Sequence, residues 1–155
     1  MKNLLVILCL CLPFTACKDN EEFCQFEDGD YLIFGTFYGE CAGNCTVLYN
    51  IQNDFLYEDD VEIGIPDEIP FMSTPLSEEK YLIGVELSTT FPSDLIDSQK
   101  DVYGCPDCAD QGGVYLELGK GGLFRKWRID SADDEQSAQI VDYKRRLYMI
   151  MDSLQ

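Results

Sequence analysis

The chain contains no histidine, and only 11 of its 155 residues are lysine or arginine. Without histidine, it cannot use a Ser-His-Asp triad, a Cys-His pair, a histidine-ligated zinc or haem, or a histidine pH switch. The basic residues face 29 aspartates and glutamates, which gives a formal net charge of −18. Because binding to phosphate backbones depends on clustered lysine and arginine, this charge argues against a nucleic-acid partner.

The N-terminal apolar run is too short to span a bilayer. It covers residues 4–14 and is interrupted only by Pro13, whereas a membrane-spanning helix needs about 20 apolar residues. The run follows Met1-Lys2-Asn3, a short positively charged segment, and this order is typical of a secretory signal peptide. The sequence therefore predicts an exported protein whose first residues are removed.

The segment Phe14-Thr15-Ala16-Cys17 resembles the lipobox of bacterial lipoproteins, with Phe14 where leucine is usual. The resemblance implies a signal peptide of residues 1–16, cleavage before Cys17, and diacylglycerol and a palmitate-type acyl chain on that cysteine. Several acyl chains on one residue anchor a protein stably to a membrane. The alternative is a plain secretory signal cleaved near Ala16, which would leave Cys17 as an ordinary thiol.

A polar, acidic segment follows the predicted anchor. Lys18-Asp19-Asn20-Glu21-Glu22 resembles the lysine-plus-acid surface-export tag of lipoproteins in the Bacteroidota. The resemblance implies an outer-membrane lipoprotein exposed at the cell surface, and the alternative is a solvated acidic tether. Residues 17–29 are interpreted as lipid anchor and tether, and residues 30–155 as a single domain.

Hydrophobic periodicity predicts an α+β fold for residues 30–155, with an antiparallel sheet of about five strands and two packed helices. Residues 31–38 are apolar on both faces, as in a central strand that is covered on both sides. Residues 46–51 and 55–57 form a predicted hairpin around the Asn53-Asp54 turn, and further strands are predicted at 114–118 and 123–129. Ser77 is predicted to cap a helix that runs to about Thr89.

The C-terminal helix has the clearest pattern. Apolar residues at spacings of three and four predict a helix that buries one face. The stripe consists of Ile140, Tyr143, Leu147, Ile150 and Leu154. Ser131 and Asp134 fit a capping box upstream of it, which predicts that the helix begins there.

Cysteines are the most informative chemical feature of the predicted domain. Cys24 lies in the tether, and two close pairs follow, Cys41 with Cys45 and Cys105 with Cys108. Disulfides are the favoured interpretation, because an exported protein meets an oxidising compartment. The spacing leaves the connectivity open between two local bridges and two long-range bridges, and Cys24 has no predicted partner.

Two alternatives to disulfides use cysteines of the same two pairs. Two short cysteine pairs separated by a long insert also match a structural zinc site made of four thiolates. The segment Cys105-Pro106-Asp107-Cys108 matches the C-x-x-C motif of proteins that catalyse thiol-disulfide exchange. However, this motif leads into a strand instead of a helix, and the carboxylates of Asp107 and Asp110 would disfavour a reactive thiolate.

The segments around both cysteine pairs, YGECAGNC at residues 38–45 and GCPDCAD at residues 104–110, resemble recurrent segments of small uncharacterised lipoproteins of the Bacteroidota. Those lipoproteins have no activity that could be assigned to this chain by resemblance. The resemblance therefore supports the predicted fold and location, and it implies no mechanism and no catalytic residue.

Acidic residues are concentrated in residues 17–120, which carry 23 acidic and 4 basic side chains, whereas residues 121–155 carry 6 of each. Solubility at a crowded surface is the simpler interpretation of this excess. The alternative is a calcium site, since carboxylate oxygens are ligands that calcium prefers. The candidate loop carboxylates are Asp28, Asp30, Glu58, Asp59, Asp60, Glu62, Asp107 and Asp110.

Basic residues of the C-terminal third form two groups, which are expected to pair with acidic neighbours or to form a solvated face. The groups are Arg125, Lys126 and Arg128, and then Lys144, Arg145 and Arg146. Lys126 and Arg128 also suggest a partner surface. Trp127 points to the opposite side of the same strand and is predicted to lie in the core.

These features favour a non-catalytic, lipid-anchored module of the outer membrane, which binds a protein or glycan partner or serves as an accessory part. The alternative is an enzyme or metal-binding protein that uses the paired cysteines, either for thiol-disulfide exchange or for zinc. No other cofactor is predicted apart from the calcium alternative. Function has to be argued from a site, because a fold class alone does not assign one.

Overall fold

The computed structural model describes residues 26–155. The predicted signal peptide of residues 1–16, the predicted lipid anchor Cys17 and the cysteine Cys24 lie outside the described residues. Residues 26–155 form a single α+β domain, which confirms the fold class expected from the sequence. No helix in this range is long and apolar enough to cross a membrane.

A mixed sheet forms the centre of the domain. Its strands are β1 (Tyr31–Phe37), β2 (Thr46–Gln52), β3 (Phe55–Glu58), β4 (Val102–Tyr103), β5 (Gly113–Lys120) and β6 (Leu123–Asp130). They lie in the order β3-β2-β1-β5-β6-β4, and every neighbouring pair is antiparallel except β4 with β6. The sheet has six strands instead of about five, because the two-residue β4 joins one edge in parallel.

The central position predicted for β1 is confirmed. Its seven residues pair with β2 on one side and with β5 on the other. The predicted hairpin between β2 and β3 is also confirmed. Its turn residues Asn53 and Asp54 have φ values of 51° and 63°, the left-handed conformation that a tight hairpin turn requires.

Four helical segments accompany the sheet within the described residues: α1 (Glu78–Gly84), α2 (Glu86–Thr89), α3 (Ser93–Asp97) and α4 (Ala138–Leu154). The Ser77 side chain accepts a hydrogen bond from the Lys80 N–H and caps α1, as the sequence predicts. The helix expected to run from there to about Thr89 is divided at Val85 into α1 and α2.

The C-terminal helix α4 begins later than predicted. Ser137 is its N-cap, and its hydroxyl accepts a hydrogen bond from the Ile140 N–H. The capping box predicted at Ser131 and Asp134 is therefore wrong. The reason is that the backbone carbonyls of residues 130–132 bind the side chain of Lys144, which holds this stretch as a loop.

The main core lies between one face of the sheet and the helices. Trp127 and Leu147 are fully buried in it, and the Phe91 ring packs 5.5 Å from the Trp127 ring and 5.4 Å from the Tyr143 ring. Each large apolar side chain buried in this way contributes about 1.5–3 kcal/mol. The predicted stripe of α4 is confirmed, since all its members are buried: Ile140, Tyr143, Leu147, Ile150 and Leu154.

The opposite face of the sheet, called the second face below, carries a smaller core under the loop of residues 59–76, called the cover loop. Ile33, Phe37, Leu48 and Tyr115 are buried there against Ile65, Ile69 and Phe71 of the cover loop. Asp59 fixes the start of this loop, because its carboxylate accepts hydrogen bonds from the N–H groups of Leu48 and Val61. The cover loop explains why β1 is apolar on both faces.

Candidate functional site

A row of four side chains crosses the second face of the sheet. Ile33 of β1 lies opposite both Asn50 of β2 and Glu117 of β5, and Glu117 lies opposite Lys126 of β6. Residues opposite each other on neighbouring strands point to the same face. Asn50, Glu117 and Lys126 are far apart in sequence, and this pairing places their side chains on the same face of the sheet, beside the cover loop.

A glycine makes room for a tyrosine in the adjoining row. Tyr31 lies opposite Gly119, and a Cβ atom at position 119 would lie 2.3 Å from Cε1 of the Tyr31 ring. Because Gly119 has no side chain, the ring can lie across β5, and the Tyr31 hydroxyl reaches Glu117. A larger residue at position 119 would displace this ring.

Glu117 accepts two hydrogen bonds and forms one ion pair although it is only 6% exposed. The Tyr31 hydroxyl lies 2.9 Å from Oε1, the Tyr115 hydroxyl lies 2.6 Å from Oε2, and Lys126 Nζ lies 3.1 Å from Oε2. Hydrogen bonds to an ionised acceptor are about twice as strong as neutral ones. The three donors therefore fix the carboxylate and both tyrosine rings in one arrangement.

Both tyrosine hydroxyls stay protonated in this arrangement. Burial raises the pKa of Tyr31 and of Tyr115, and the hydrogen bond to the Glu117 carboxylate raises each pKa further. Loss of either proton would place a phenolate against a carboxylate. Both hydroxyls therefore stay donors across the neutral pH range.

A cavity of 320 Å³, called the Glu117 cleft below, opens beside this network. It is lined by polar groups of the sheet, by apolar groups and by two carboxylates of the cover loop: Tyr31, Ile33, Asn50, Gln52, Glu117, Phe124, Lys126, Asp67, Glu68, Ile69 and Phe71. Asn50 Oδ1 is buried and accepts no hydrogen bond from any described residue. A buried acceptor left in this state costs about 1–3 kcal/mol.

Lys126 contacts both the sheet and the cover loop. Its Nζ lies 3.1 Å from Glu117 Oε2 and 3.5 Å from the Asp67 carbonyl oxygen. It separates the Glu117 cleft from a second cavity of 250 Å³, which Arg128 also lines. Of the two residues predicted to form a partner surface, Lys126 thus lines both cavities and Arg128 lines the second one. Their role in binding a partner stays a prediction.

The structure joins Cys41 to Cys45 and Cys105 to Cys108 in two local disulfides. The long-range bridges that the sequence left open are not formed. Each local bridge stabilises the fold by about 2 kcal/mol in the chain-entropy model, about half of what a long-range bridge would contribute. All four sulfur atoms are engaged in disulfides, so this arrangement leaves no thiolate for the zinc alternative.

The two disulfide loops lie side by side at one end of the sheet. Phe37, the last residue of β1, pairs with the first residue of β5, so the loop after β1 meets the loop before β5. Gly39 and Gly112 permit this contact. A Cβ atom at position 39 would lie 1.9 Å from Asp107 Oδ2, and one at position 112 would lie 2.4 Å from the Tyr38 ring.

Asp130 attaches the second disulfide loop to the end of β6. Its carboxylate accepts hydrogen bonds from the N–H of Cys105 at 2.8 Å, the N–H of Ala132 at 3.0 Å and the side-chain amide of Gln111 at 3.3 Å. Burial alone would raise the pKa of Asp130, but these hydrogen bonds outweigh it and the pKa is lowered. The carboxylate next to Cys105 is therefore held in its charged form.

Lys144 is buried, so the solvated face is wrong for this residue, whereas the expected pairing with an acidic neighbour is confirmed at Asp133. It is 2% exposed, and its Nζ donates to three backbone carbonyls at 2.9, 2.9 and 2.7 Å. These carbonyls belong to residues 130–132, and the Asp133 carboxylate lies 3.0 Å from the same Nζ. Arg145 and Arg146 pair with acidic neighbours, as expected.

The loop carboxylates considered as calcium ligands serve other roles or face solvent. Asp30 accepts hydrogen bonds from the N–H groups of Glu27 and Gly121, and Asp107 accepts one from Gly112. Asp59 binds the cover loop as described above. The remaining carboxylates are exposed or half-buried: Asp28, Glu58, Asp60, Glu62 and Asp110. Within residues 26–155, no group of three or more aspartate, glutamate or cysteine residues is placed to hold a metal ion.

Lys126 is the one member of the Glu117 network that the sequence pointed to, as part of a suggested partner surface. Alternation along β5 does place Tyr115 and Glu117 on one face, and a glutamate on a strand with both faces covered is an unusual signal. That signal could have marked Glu117. The partners Tyr31 and Asn50 could not be found in the same way, because they depend on which strands become neighbours.

No protein-family model matches this chain, and no curated protein matches it. The Glu117 cleft and the disulfide loops are therefore interpreted from their own geometry and chemistry.

Proposed function

We propose that this chain is an exported outer-membrane lipoprotein, anchored by lipid on Cys17, whose folded domain is a non-catalytic binding module with the Glu117 cleft as its binding site. The observation that carries the binding role is the buried network around Glu117. It holds polar groups from three strands, β1, β5 and β6, at the wall of an open cavity, and the side chain of Asn50 from β2 lines the same cavity. Preorganised polar groups in a concave, partly apolar site are characteristic of ligand binding.

A non-catalytic role is supported by the way the site is built. The Glu117 carboxylate already binds three donors, and both tyrosine hydroxyls are held as donors to it. Groups fixed in this way position a ligand well, whereas a general acid or base must exchange a proton during the reaction. The exported location is supported by the signal-like N-terminus and by two disulfides, which persist in oxidising compartments.

The anchor is tested by metabolic labelling with an alkyne-tagged palmitate in a host from the Bacteroidota. We expect label on the full chain and at least a tenfold loss of label in Cys17→Ser, with loss of the protein from the outer-membrane fraction. Cys24→Ser is the matched control, since it removes a nearby cysteine and should keep the label. Full labelling of Cys17→Ser would show that the lipid attachment is misassigned.

Thiol-disulfide exchange is the second candidate, and one observation favours it. Cys105 and Cys108 form an exposed disulfide in a C-x-x-C motif. However, the charged Asp130 carboxylate lies 2.8 Å from the Cys105 N–H, where a redox-active thiol would need a positive environment. The geometry therefore favours a structural bridge.

An insulin-reduction assay separates these two functions. We expect the purified full chain to reduce insulin no faster than dithiothreitol alone, and intact mass spectrometry to find both bridges formed after mild reductant. Cys41→Ser, which breaks the other bridge, is the control for general effects of opening a disulfide. Insulin reduction by the wild type that Cys105→Ser abolishes and Cys41→Ser keeps would establish the redox role instead.

A further inference from the structure

We propose that the ligand of the Glu117 cleft is a neutral ring that carries several hydroxyl groups, as in one sugar unit of a glycan. This inference rests on the proposed binding function of the same cleft. It follows from three properties of the cleft: the kind of hydrogen-bonding groups that are free, the balance of charge along the walls, and an exposed aromatic ring at the edge.

The free hydrogen-bonding groups of the cleft match hydroxyls. Asn50 and Gln52 are amides, and each can donate and accept at neighbouring atoms. Asn50 Oδ1 in addition lacks a donor among the described residues. A hydroxyl group both donates and accepts, so two adjacent hydroxyls can satisfy both sides of an amide. An ammonium group only donates, and a carboxylate or phosphate only accepts.

The charge of the cleft disfavours ionic ligands of both signs. Its walls carry three carboxylates, from Glu117, Asp67 and Glu68, and one ammonium, from Lys126. This excess of negative charge repels an anion. A cation would compete with Lys126, whose ammonium already lies 3.1 Å from the buried Glu117 carboxylate. A neutral ligand is not repelled by the carboxylates and does not compete with Lys126 for Glu117.

The apolar part of the cleft suits the C–H face of a sugar ring. Phe124 is 58% exposed at the start of β6, and Lys126 Nζ lies 5.5 Å from its ring centroid. This contact orders the ring before a ligand arrives. With a volume of 320 Å³, the cleft is at the small end of the range of about 300–1,000 Å³ for ligand sites, which suits one ring.

The test uses the full lipidated chain, purified in a detergent without a sugar headgroup. Saturation-transfer NMR with a panel of free hexoses, pentoses and N-acetylhexosamines should detect binding of at least one sugar, and titration calorimetry should then give its Kd. Spermidine and citrate are tested in parallel as a cationic and an anionic probe, and we expect neither to bind in the cleft.

Variants then locate the binding. We expect Asn50→Ala and Phe124→Ala to weaken the binding of that sugar at least tenfold, because one removes an amide that lines the cleft and the other the stacking surface. Phe55→Ala is the matched control, since Phe55 is a 48% exposed phenylalanine on the same sheet that does not line the cleft, and it should change Kd by less than twofold. Circular dichroism confirms that each variant is folded.

The outcomes distinguish this inference from the proposed function. If no sugar of the panel binds to folded protein, or if Phe124→Ala leaves the Kd unchanged, the sugar assignment is wrong. Binding of spermidine or citrate that Asn50→Ala removes would also overturn it, while the cleft would remain a binding site. The palmitate labelling of Cys17 tests the anchor independently of every one of these results.

Discussion

Replacement of Lys144 by methionine is expected to destabilise the folded protein by about 3–5 kcal/mol, because three backbone carbonyls lose their common donor and each buried unpaired group costs about 1–3 kcal/mol. Methionine fills the space of the lysine stem, so the loss comes from the ammonium and not from a cavity. The ammonium binds three backbone carbonyls at 2.7–2.9 Å in the loop between β6 and α4. Without it, buried carbonyls at the end of β6 lose their donor.

Urea unfolding followed by circular dichroism measures this effect. Arg145→Met is the matched control, because Arg145 is the next residue, shares the Asp133 carboxylate and is 63% exposed. An exposed ion pair of this kind contributes about 0–1 kcal/mol, so the control should be close to wild type. If Lys144→Met and Arg145→Met lose the same small amount of stability, Lys144 does not hold the loop.

Replacement of Glu117 by leucine is expected to destabilise the protein by about 3 kcal/mol, because two tyrosine hydroxyls lose their common acceptor and each buried unpaired group costs about 1–3 kcal/mol. The Tyr115 hydroxyl is the more costly of the two, since Tyr115 is only 2% exposed. Lys126 contributes less to the loss, because 39% of its side chain is exposed and water can solvate its ammonium.

A cycle of variants separates this cause from a general packing defect. The triple variant Tyr31→Phe, Tyr115→Phe, Glu117→Leu has neither the acceptor nor the two hydroxyls, and removal of both partners of a hydrogen bond is close to neutral. We therefore expect the triple variant to recover at least half of the stability lost in Glu117→Leu, as measured by urea unfolding. A triple variant less stable than Glu117→Leu would show that the hydroxyls stabilise the fold by other contacts.

Those parts of the fold that depend on local pattern could be predicted from the sequence. The apolar stripe of α4 and the two-sided apolar character of β1 follow from spacing alone, and both elements are where the pattern placed them. The start of α4 could not be predicted in this way. Ser131 and Asp134 have the spacing of a cap, but a lysine 13 residues further along the chain from Ser131 binds the carbonyls of that loop instead.

The candidate site depends on contacts between residues far apart in sequence. Tyr31 and Glu117 are 86 residues apart, and they meet because β1 and β5 are neighbours and because Gly119 leaves space for a ring. Neither condition is visible in a short segment. The disulfides are an intermediate case. The sequence identified all four cysteines but not their pairing. The pairing depends on how far apart the two loops lie and on which cysteines come close together within each loop.

The position of β1 in the middle of the sheet has a mechanical consequence. Tension applied through the N-terminal segment enters the domain at β1, just after Asp30, which is held by Gly121 and Lys120. All seven residues of β1 pair with antiparallel strands on both sides, so this load must shear two ladders at once. A pull on the four-residue edge strand β3 would instead separate it from β2 alone, one residue pair at a time. The chain thus receives force from its N-terminal side at a strand that is paired on both sides instead of at an edge strand.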